Sequence, residues 1–157
     1  MATDDLERLS AGYRRYLAAI VMFHLAAADE VGIGATDYQA LNVLDVDGPM
    51  TSGELAQRLA LSTGATTRLI DRLETSDVAR RVPDPADRRR VMVEATGRMP
   101  DGMAEVLDVV REPVSKAFTG LDEHQLEGLA SYLATATEAY RAAARELRSQ
   151  VRTGPGT

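Results

Sequence analysis

Two helix-start signals stand close together near the middle of the chain, and they constrain its fold more than any other feature. In Thr51-Ser52-Gly53-Glu54 the threonine oxygen can accept from free N–H groups while the glutamate, three residues on, reaches back to the cap. Ser62 is the second cap. The pattern predicts a short helix from Thr51 to about Ala60, a tight turn, and a second helix from Ser62 to about Ser76.

The second of these helices has two contrasting faces. At about 100° per residue, Ala65, Leu69 and Leu73 fall within roughly 40° of one line, and Thr66 and Ile70 flank them. The opposite side carries small, hydroxyl and charged groups, namely Thr63, Gly64, Thr67, Arg68 and Asp71. Leucine and isoleucine inside, with threonine and arginine outside, indicate that the outer face meets something polar. Water is the simplest candidate.

A small hairpin follows this helix. Arg80–Pro83 and Arg90–Glu94 are short extended runs around a Pro/Asp turn at 84–87, which predicts an antiparallel pair. Pro83 restricts its strand to a sheet edge, and arginines at 88, 89 and 90 occupy the tip and the return strand. A run of arginines that stands by itself is usually the solvent-exposed face of a hairpin. Short helix, tight turn, second helix and Arg-tipped hairpin together make a winged helix-turn-helix.

Two helices are predicted before this central segment. The first runs from about Asp4 to Ala28 and is apolar over much of its surface. The second opens at Thr36-Asp37-Tyr38-Gln39, where a threonine cap is again followed by a glutamine three residues on, and it continues to about Val46. Asp47-Gly48-Pro49 ends it, because glycine tolerates left-handed backbone and proline cannot continue a helix.

Two more helices are predicted after the hairpin. Thr96 is expected to cap a helix that runs to about Phe118, with a kink or break near Pro113. Asp122-Glu123-His124-Gln125 opens the last helix, which runs to about Arg152. Its apolar residues recur every three or four positions, among them Leu126, Leu129, Leu133 and Ala136. These leucines need a partner surface.

The charge of the chain is divided unevenly. The 157 residues carry 18 Lys and Arg against 24 Asp and Glu, a net charge of −6. As an average, this argues against nucleic-acid binding. Residues 51–98, however, hold nine arginines and seven acidic residues, which leaves +2 there and −8 in the remainder. The helix-turn-helix and the hairpin therefore form a basic middle between acidic flanks.

Several function classes are excluded by what the sequence lacks. It contains no cysteine, which excludes disulfides, thiol redox sensing, thiolate catalysis and cysteine-bound zinc. No Gly-rich phosphate loop or Ser/His/Asp arrangement appears, so neither an enzyme nor a metal or other cofactor is expected. Residues 1–7 are acidic where a signal peptide is basic, and the apolar run Leu17–Ala28 is too short to span a bilayer. A cytoplasmic protein without membrane contact is expected.

The stretch Gly48–Leu59, its continuation Leu61–Glu74 and the hairpin Pro83–Arg90 closely resemble the multiple-antibiotic-resistance regulator (MarR) family. The resemblance covers roughly Ala35 to Thr96. It implies a mainly α-helical winged helix-turn-helix with a small β-hairpin wing, dimeric through its N- and C-terminal helices. Residues 36–97 would then be the DNA-binding lobe, and residues 1–35 and 98–157 the helical dimerisation region.

The wing carries the family's signature, Asp-x-Arg followed after five residues by Leu-Thr. Asp87 and Arg89 match it, and Ala95-Thr96 departs from it at the leucine. Thr75–Val78 replaces the family's usual glycine-containing turn beyond the second helix. The family consists of transcription regulators, usually repressors, so the resemblance implies a homodimer that binds a near-palindromic operator.

The DNA-binding residues are predicted on the second helix and on the wing. A helix with small polar residues at its N-terminal end fits the major groove, where base edges can be read. An arginine on a wing tip fits the minor groove, whose negative potential attracts guanidinium. On the helix, base-edge and phosphate contacts are expected from Thr63, Gly64, Thr67 and Arg68, with Ser62 as cap and phosphate donor.

On the wing, Arg89 is expected to enter the minor groove while Asp87 holds its guanidinium in place. Arg88 and Arg90 are expected to contact phosphate, which positions a protein without reading sequence. Arg72 either reaches phosphate or pairs with a neighbouring acidic residue. A winged-helix module that binds proteins, without sequence-specific DNA binding, is the alternative function.

Regulators that this chain resembles often release DNA when a small anionic aromatic compound binds between the dimer helices and the DNA-binding lobe. Tyr13, Tyr16, His24 and Tyr38, with Phe23, are the aromatic residues on the corresponding segments. Tyrosine or histidine can hydrogen-bond a carboxylate or a phenol, so the first four are candidate effector-binding residues. Packing in the core or in the dimer is the more common role of such side chains.

Overall fold

The computed structural model describes residues 3–153, which form six helices and three short strands. The helices are α1 (Thr3–Glu30), α2 (Ala35–Asp47), α3 (Ser52–Leu59), α4 (Thr63–Thr75), α5 (Met103–Thr119) and α6 (Glu123–Thr153). The strands are β1 (Met50–Thr51), β2 (Ala79–Pro83) and β3 (Val91–Ala95). The prediction of a mainly α-helical chain with a small β-hairpin is confirmed.

Capping side chains begin α3 and α4 as predicted. Thr51 Oγ1 accepts from the Glu54 backbone N–H at 3.2 Å, and the Glu54 carboxylate accepts from the Thr51 N–H at 2.7 Å. Ser62 Oγ accepts from the Ala65 N–H at 3.3 Å. Between the two helices, Ala60 takes the left-handed conformation with φ 59° and donates its N–H to the Ala56 carbonyl. That conformation ends α3 and turns the chain into α4.

One hydrophobic core joins α2, α3, α4 and the sheet. Its most buried members include Ala40, Leu44, Leu55, Leu69, Ile70, Leu73 and Val93. The two predicted faces of α4 are confirmed, because Thr66, Leu69, Ile70 and Leu73 are buried while the five outer residues, Thr63, Gly64, Thr67, Arg68 and Asp71, are exposed. Packing of the inner face therefore fixes which side of α4 faces outward.

The sheet has the strand order β1-β3-β2, with antiparallel pairing throughout. β2 and β3 form the predicted hairpin, in which Arg81 lies opposite Val93 and Pro83 opposite Val91. β2 is an edge strand, as the proline requires. β1 was not predicted, because a two-residue strand is too short to show an alternating pattern. It pairs Met50 with Val93 just before α3 begins.

A second, smaller cluster lies where α1 and α5 meet the start of α2. Ala27, Ala28, Tyr38 and Met103 are buried in it. Elsewhere on α1, α5 and α6, large apolar side chains remain exposed, among them Leu9, Met22, Val109, Leu133 and Leu147. These three helices therefore carry more apolar surface than a single chain covers.

No helix in the described part of the chain is by itself long and apolar enough to cross a membrane. α1 and α2 meet that criterion only when they are taken together as a pair bent by 109°.

Two predicted helix starts were wrong. α2 begins at Ala35, after Gly34, and no side chain caps it. The Thr36 capping box does not form, because Thr36 already lies inside the helix; the next residue, Asp37, binds Arg72 of α4.

α5 begins at Met103, and Thr96 does not cap it. Thr96 Oγ1 donates to the Asp77 carbonyl at 2.8 Å, which ties the end of the sheet to the end of α4. Gly97 and Gly102 both have φ of 79°, so the segment between them cannot continue as a helix.

The other two predictions on the C-terminal helices had opposite outcomes. Asp122 Oδ1 accepts from the Gln125 N–H and Gln125 Oε1 from the Asp122 N–H, both at 2.9 Å, so that capping box is confirmed. Of the predicted kink or break near Pro113, the break is absent, since α5 runs through it as one helix, and the kink stays a prediction. Pro113 has no N–H group to donate to the Val109 carbonyl. Val109 is 73% exposed, so a water molecule can donate to that carbonyl instead.

Candidate nucleic-acid interface

The N-terminal end of α4 presents an open, polar surface. Ser62, Thr63, Gly64, Thr67 and Arg68 are all exposed. The first N–H groups of a helix have no partner within it, and together with the helix dipole they favour a nearby anion. Ser62 Oγ serves one of these donors, that of Ala65. The rest of this turn is available to phosphate.

Gly64 keeps the backbone of this turn uncovered. A Cβ at that position would have only Arg68 Nη1 within 4 Å, at 3.8 Å. The Arg68 side chain therefore lies beside the first turn of α4. Thr67 Oγ1 donates to the Thr63 carbonyl at 3.0 Å, which leaves the lone pairs of this hydroxyl to accept from a base or a water molecule.

The wing holds its most exposed arginine by a short-range ion pair. Asp87 accepts from Arg89 Nε at 3.1 Å, from Arg89 Nη2 at 3.2 Å and from the Arg89 backbone N–H at 3.1 Å. The Arg89 side chain and then its backbone N–H lower the pKa of Asp87, so the carboxylate stays ionised. The contact that the sequence predicted is present, and the Arg89 side chain remains 90% exposed.

A second aspartate, which sequence reasoning missed, supports the wing from inside. Asp84 is buried and accepts from the Ala86 N–H at 2.8 Å, and it lies 3.6 Å from Arg90 Nε. The Arg90 N–H donates to the Asp87 carbonyl at 2.8 Å and closes the turn. The Asp-Pro-x-Asp pattern at 84–87 is the sequence signal that could have identified this aspartate.

Most of the arginines of the basic middle are already paired with acidic residues. Seven of the nine between positions 51 and 98 lie within 4.0 Å of a carboxylate, namely Arg58, Arg72, Arg80, Arg81, Arg89, Arg90 and Arg98. Within residues 3–153, Arg68 and Arg88 have no such partner. The unpaired charges therefore lie on the outer face of α4 and on the wing.

Arg72 pairs with a buried carboxylate. Its Nε donates to Asp37 Oδ2 at 2.7 Å and its Nη2 to Asp37 Oδ1 at 2.6 Å. The pKa of Arg72 is raised by this hydrogen bond, and the Asp37 side chain is only 11% exposed. Of the two roles left open for Arg72, the structure shows the ion pair, which ties α4 to the first turn of α2. A phosphate contact of Arg72 stays a prediction.

Comparison with known proteins places this geometry in a family. The sequence model of the MarR family matches residues 31–90. The HTH-type transcriptional regulator YcgE of Bacillus subtilis is 32% identical over 136 residues, which cover 86% of this chain and 88% of YcgE. The chain belongs to the MarR family. The protein is thus a DNA-binding transcription regulator with a winged helix-turn-helix fold.

Two further proteins are similar to this chain. The multiple antibiotic resistance protein MarR of Salmonella typhimurium is 39% identical over 72 residues, 46% of this chain and 48% of that protein. The crystal structure of RV1404 from Mycobacterium tuberculosis is 27% identical with a TM-score of 0.57, covering 88% of this chain and 94% of the other.

In this MarR-family chain the four candidate effector residues do not form one site. Tyr13 stacks on Tyr140 of α6 with ring centres 6.3 Å apart, and it meets Tyr132 edge-on at 6.4 Å. Hydrogen bonding with Tyr140 is the main cause that raises the pKa of Tyr13 to about 12. Tyr16 is 57% exposed. Tyr13 thus belongs to the contact between α1 and α6.

The other two candidates meet where α1 crosses α2. His24 and Tyr38 pack edge-on with ring centres 5.3 Å apart, and Tyr38 is buried. His24 also lines a cavity of about 690 Å³ between α1, α2 and α3, together with apolar residues and Arg58. That volume suits a drug-sized ligand. Sequence reasoning missed Arg58, which donates to Asp47 at 2.5 Å from the edge of this cavity.

Proposed function

We propose that the protein is a homodimeric repressor that binds a near-palindromic operator. Each α4 enters the major groove with Thr63, Gly64, Thr67 and Arg68, and each wing places Arg89 in the minor groove. The observation that carries this proposal is the distribution of free charge. Arg68 and Arg88 lack acidic partners in the described chain, and Asp87 holds Arg89 outward on the wing. These three guanidinium groups lie on the two elements that a winged helix-turn-helix presents to DNA.

The exposed apolar faces of α1, α5 and α6 support the homodimer. Side chains such as Met22, 65% exposed, and Val109, 73% exposed, are costly to leave in water. A second copy would cover them with the same three helices across a two-fold axis. Two recognition helices related in this way would suit half-sites about 34–36 Å apart.

Release by a small anionic aromatic compound is part of the same proposal. The cavity beside His24 lies between α1, which belongs to the dimer scaffold, and α2 and α3 of the DNA-binding lobe. Apolar walls suit an aromatic ring, and Arg58 at the edge gives only Nη1 to Asp47, so its other N–H groups could donate to a ligand carboxylate. A ligand there would contact both regions and would shift their relative positions.

The decisive test is a fluorescence-anisotropy titration of the purified protein against its own promoter and against scrambled DNA. We expect tight binding to the promoter alone and an affinity that falls steeply with salt. Equal affinity for both DNAs, with little salt dependence, would reject the proposal in favour of a module that binds proteins. The assignment to the cytoplasm and to a non-enzymatic role stays a prediction.

The wing assignment has its own variant and matched control. Arg89→Ala should weaken promoter binding about ten-fold or more while the dimer and its melting temperature are unchanged, because the Arg89 side chain, among the residues that the structure describes, pairs only with the nearby Asp87. Arg111→Ala removes another exposed arginine, on α5, where it pairs with Asp108. Arg111→Ala should bind like the wild type. Full affinity in Arg89→Ala would show that the wing does not enter a groove.

A further inference from the structure

Arg81 of β2 joins the wing to the recognition helix. Its Nη2 donates to Asp71 Oδ1 at 2.8 Å and its backbone N–H donates to Glu74 Oε1 at 2.9 Å, while Nη1 pairs with the second Glu74 oxygen. One residue of the sheet therefore binds two carboxylates on successive turns of α4. Its neighbour Arg80 points to the other side of the strand and pairs with Glu94 of β3 at 2.7 Å.

Asp71 is an acidic group in an unfavourable place. It follows Thr67 by four residues and Arg68 by three, so it lies on the same outer face of α4. Its side chain is 56% exposed. Left alone, its charge would repel phosphate, and at a spacing of three residues it would attract the Arg68 guanidinium away from DNA.

We propose that Arg81 is a positioning residue for DNA binding, which neutralises Asp71, leaves Arg68 free and fixes the wing against α4. The inference rests on the proposed function of α4. Arg81 occupies Asp71 through a direct hydrogen bond, which agrees with the absence of any acidic partner of Arg68 among residues 3–153. The contacts with Glu74 fix the base of β2, and with it the direction in which the hairpin leaves the helix.

The test is a double-mutant cycle measured by operator binding. Arg81→Ala should lower affinity roughly ten-fold, because the charge of Asp71 is no longer compensated and the wing keeps only its backbone bond to Glu74. Asp71→Asn in the wild type should change affinity less than about three-fold, since Arg81 already neutralises that carboxylate. In the Arg81→Ala background, the same Asp71→Asn change should restore the part of the affinity that is lost through the charge of Asp71, while the part lost through the Glu74 contact remains missing. Arg80→Ala is the matched control and should stay within about three-fold of the wild type.

Salt dependence separates positioning from direct contact. If Arg81 contacted phosphate itself, the double variant would keep a salt slope about two units shallower than the wild type, since a dimer carries two copies of Arg81. The inference about Arg81 would be overturned if the double variant bound the operator no tighter than Arg81→Ala. It would also be overturned if Arg81→Ala bound with wild-type affinity. Neither result would touch the proposed function. Loss of operator preference in the wild type would overturn the proposed function as well. Should Arg81→Ala fail to fold, Arg81→Gln runs the same cycle with hydrogen-bond donors but without the charge.

Discussion

Replacing Gly64 by alanine should stabilise the protein and weaken its operator binding at the same time. Gly64 is exposed in the first turn of α4, and an added Cβ would meet only Arg68 Nη1, at the ordinary contact distance of 3.8 Å. Alanine therefore introduces no clash and reduces the freedom of the unfolded chain. The free energy of unfolding should rise by up to about 1 kcal/mol. For a chain of this size that raises the melting temperature by about 2–4 °C.

The same methyl group stands where the proposed interface brings backbone close to DNA. An extra methyl in a closely packed contact costs about 1–3 kcal/mol, since neither side can give way without losing other contacts. That cost corresponds to an affinity lower by roughly five-fold to 150-fold. Stability and binding should thus move in opposite directions, which a general loss of folding cannot produce.

Gly53 provides a matched control for this change. It occupies the same position in the first turn of α3, it is exposed, and an added Cβ would have only Thr51 Oγ1 nearby, at 3.9 Å. Both alanine variants are to be compared by thermal unfolding and by operator anisotropy at one salt concentration. Gly53→Ala should show the same gain in stability with unchanged affinity. Wild-type affinity in Gly64→Ala would refute the close approach of α4 to DNA.

Three further predictions concern local features of the fold. Ala60→Gly should raise the free energy of unfolding by about 1 kcal/mol, because φ of 59° strains alanine; unchanged denaturant unfolding would contradict this. Hydrogen bonds from Thr51 lower the pKa of Glu54 in the folded protein. The stabilisation that Glu54 gives the fold is therefore present above its pKa in the unfolded chain, about 4.5, and it is lost as pH falls through its lower pKa in the folded protein. Glu54→Gln should remove that part of the acid dependence, measured by urea unfolding across this range; an unaltered pH profile would exclude it. Tyr140→Phe should return the pKa of Tyr13 from about 12 toward 10, and ultraviolet titration that still finds about 12 would rule out the hydrogen bond as its cause.

The local parts of this fold were predictable because their determinants lie close together in the sequence. The caps at Thr51 and Asp122 need only a partner three residues away, and both formed. The faces of α4 follow from the helical period alone. Thr36 offered the same local signal, yet α2 began before it and the next residue, Asp37, was bound by Arg72 from 35 positions away. The local signal at Thr36 was therefore not enough to set the start of α2.

The turn after α4 shows the same limit of local reasoning. Asp77 takes the left-handed conformation with φ 55° at the place where the family usually has a glycine-containing turn. Its carbonyl accepts from Thr96, which the sequence alone makes an equally good helix cap. The pairing of Ala79 with Ala95 brings these residues together. The register of the sheet, which the sequence does not state, therefore decides what Thr96 binds.

The arrangement of ion pairs limits how many arginines of this chain, whose net charge is −6, are free to bind DNA. Nine arginines in the basic middle would suggest about 18 phosphate contacts for a dimer and a salt slope near −16. The structure leaves far fewer charges for that purpose, because most of these arginines are held by carboxylates from other elements. Counting only Arg68, Arg88 and the outward-held Arg89 gives six contacts per dimer and a slope of about −5. Anisotropy titrations at several salt concentrations measure this slope, and a value near −16 would show that the ion pairs open when DNA binds.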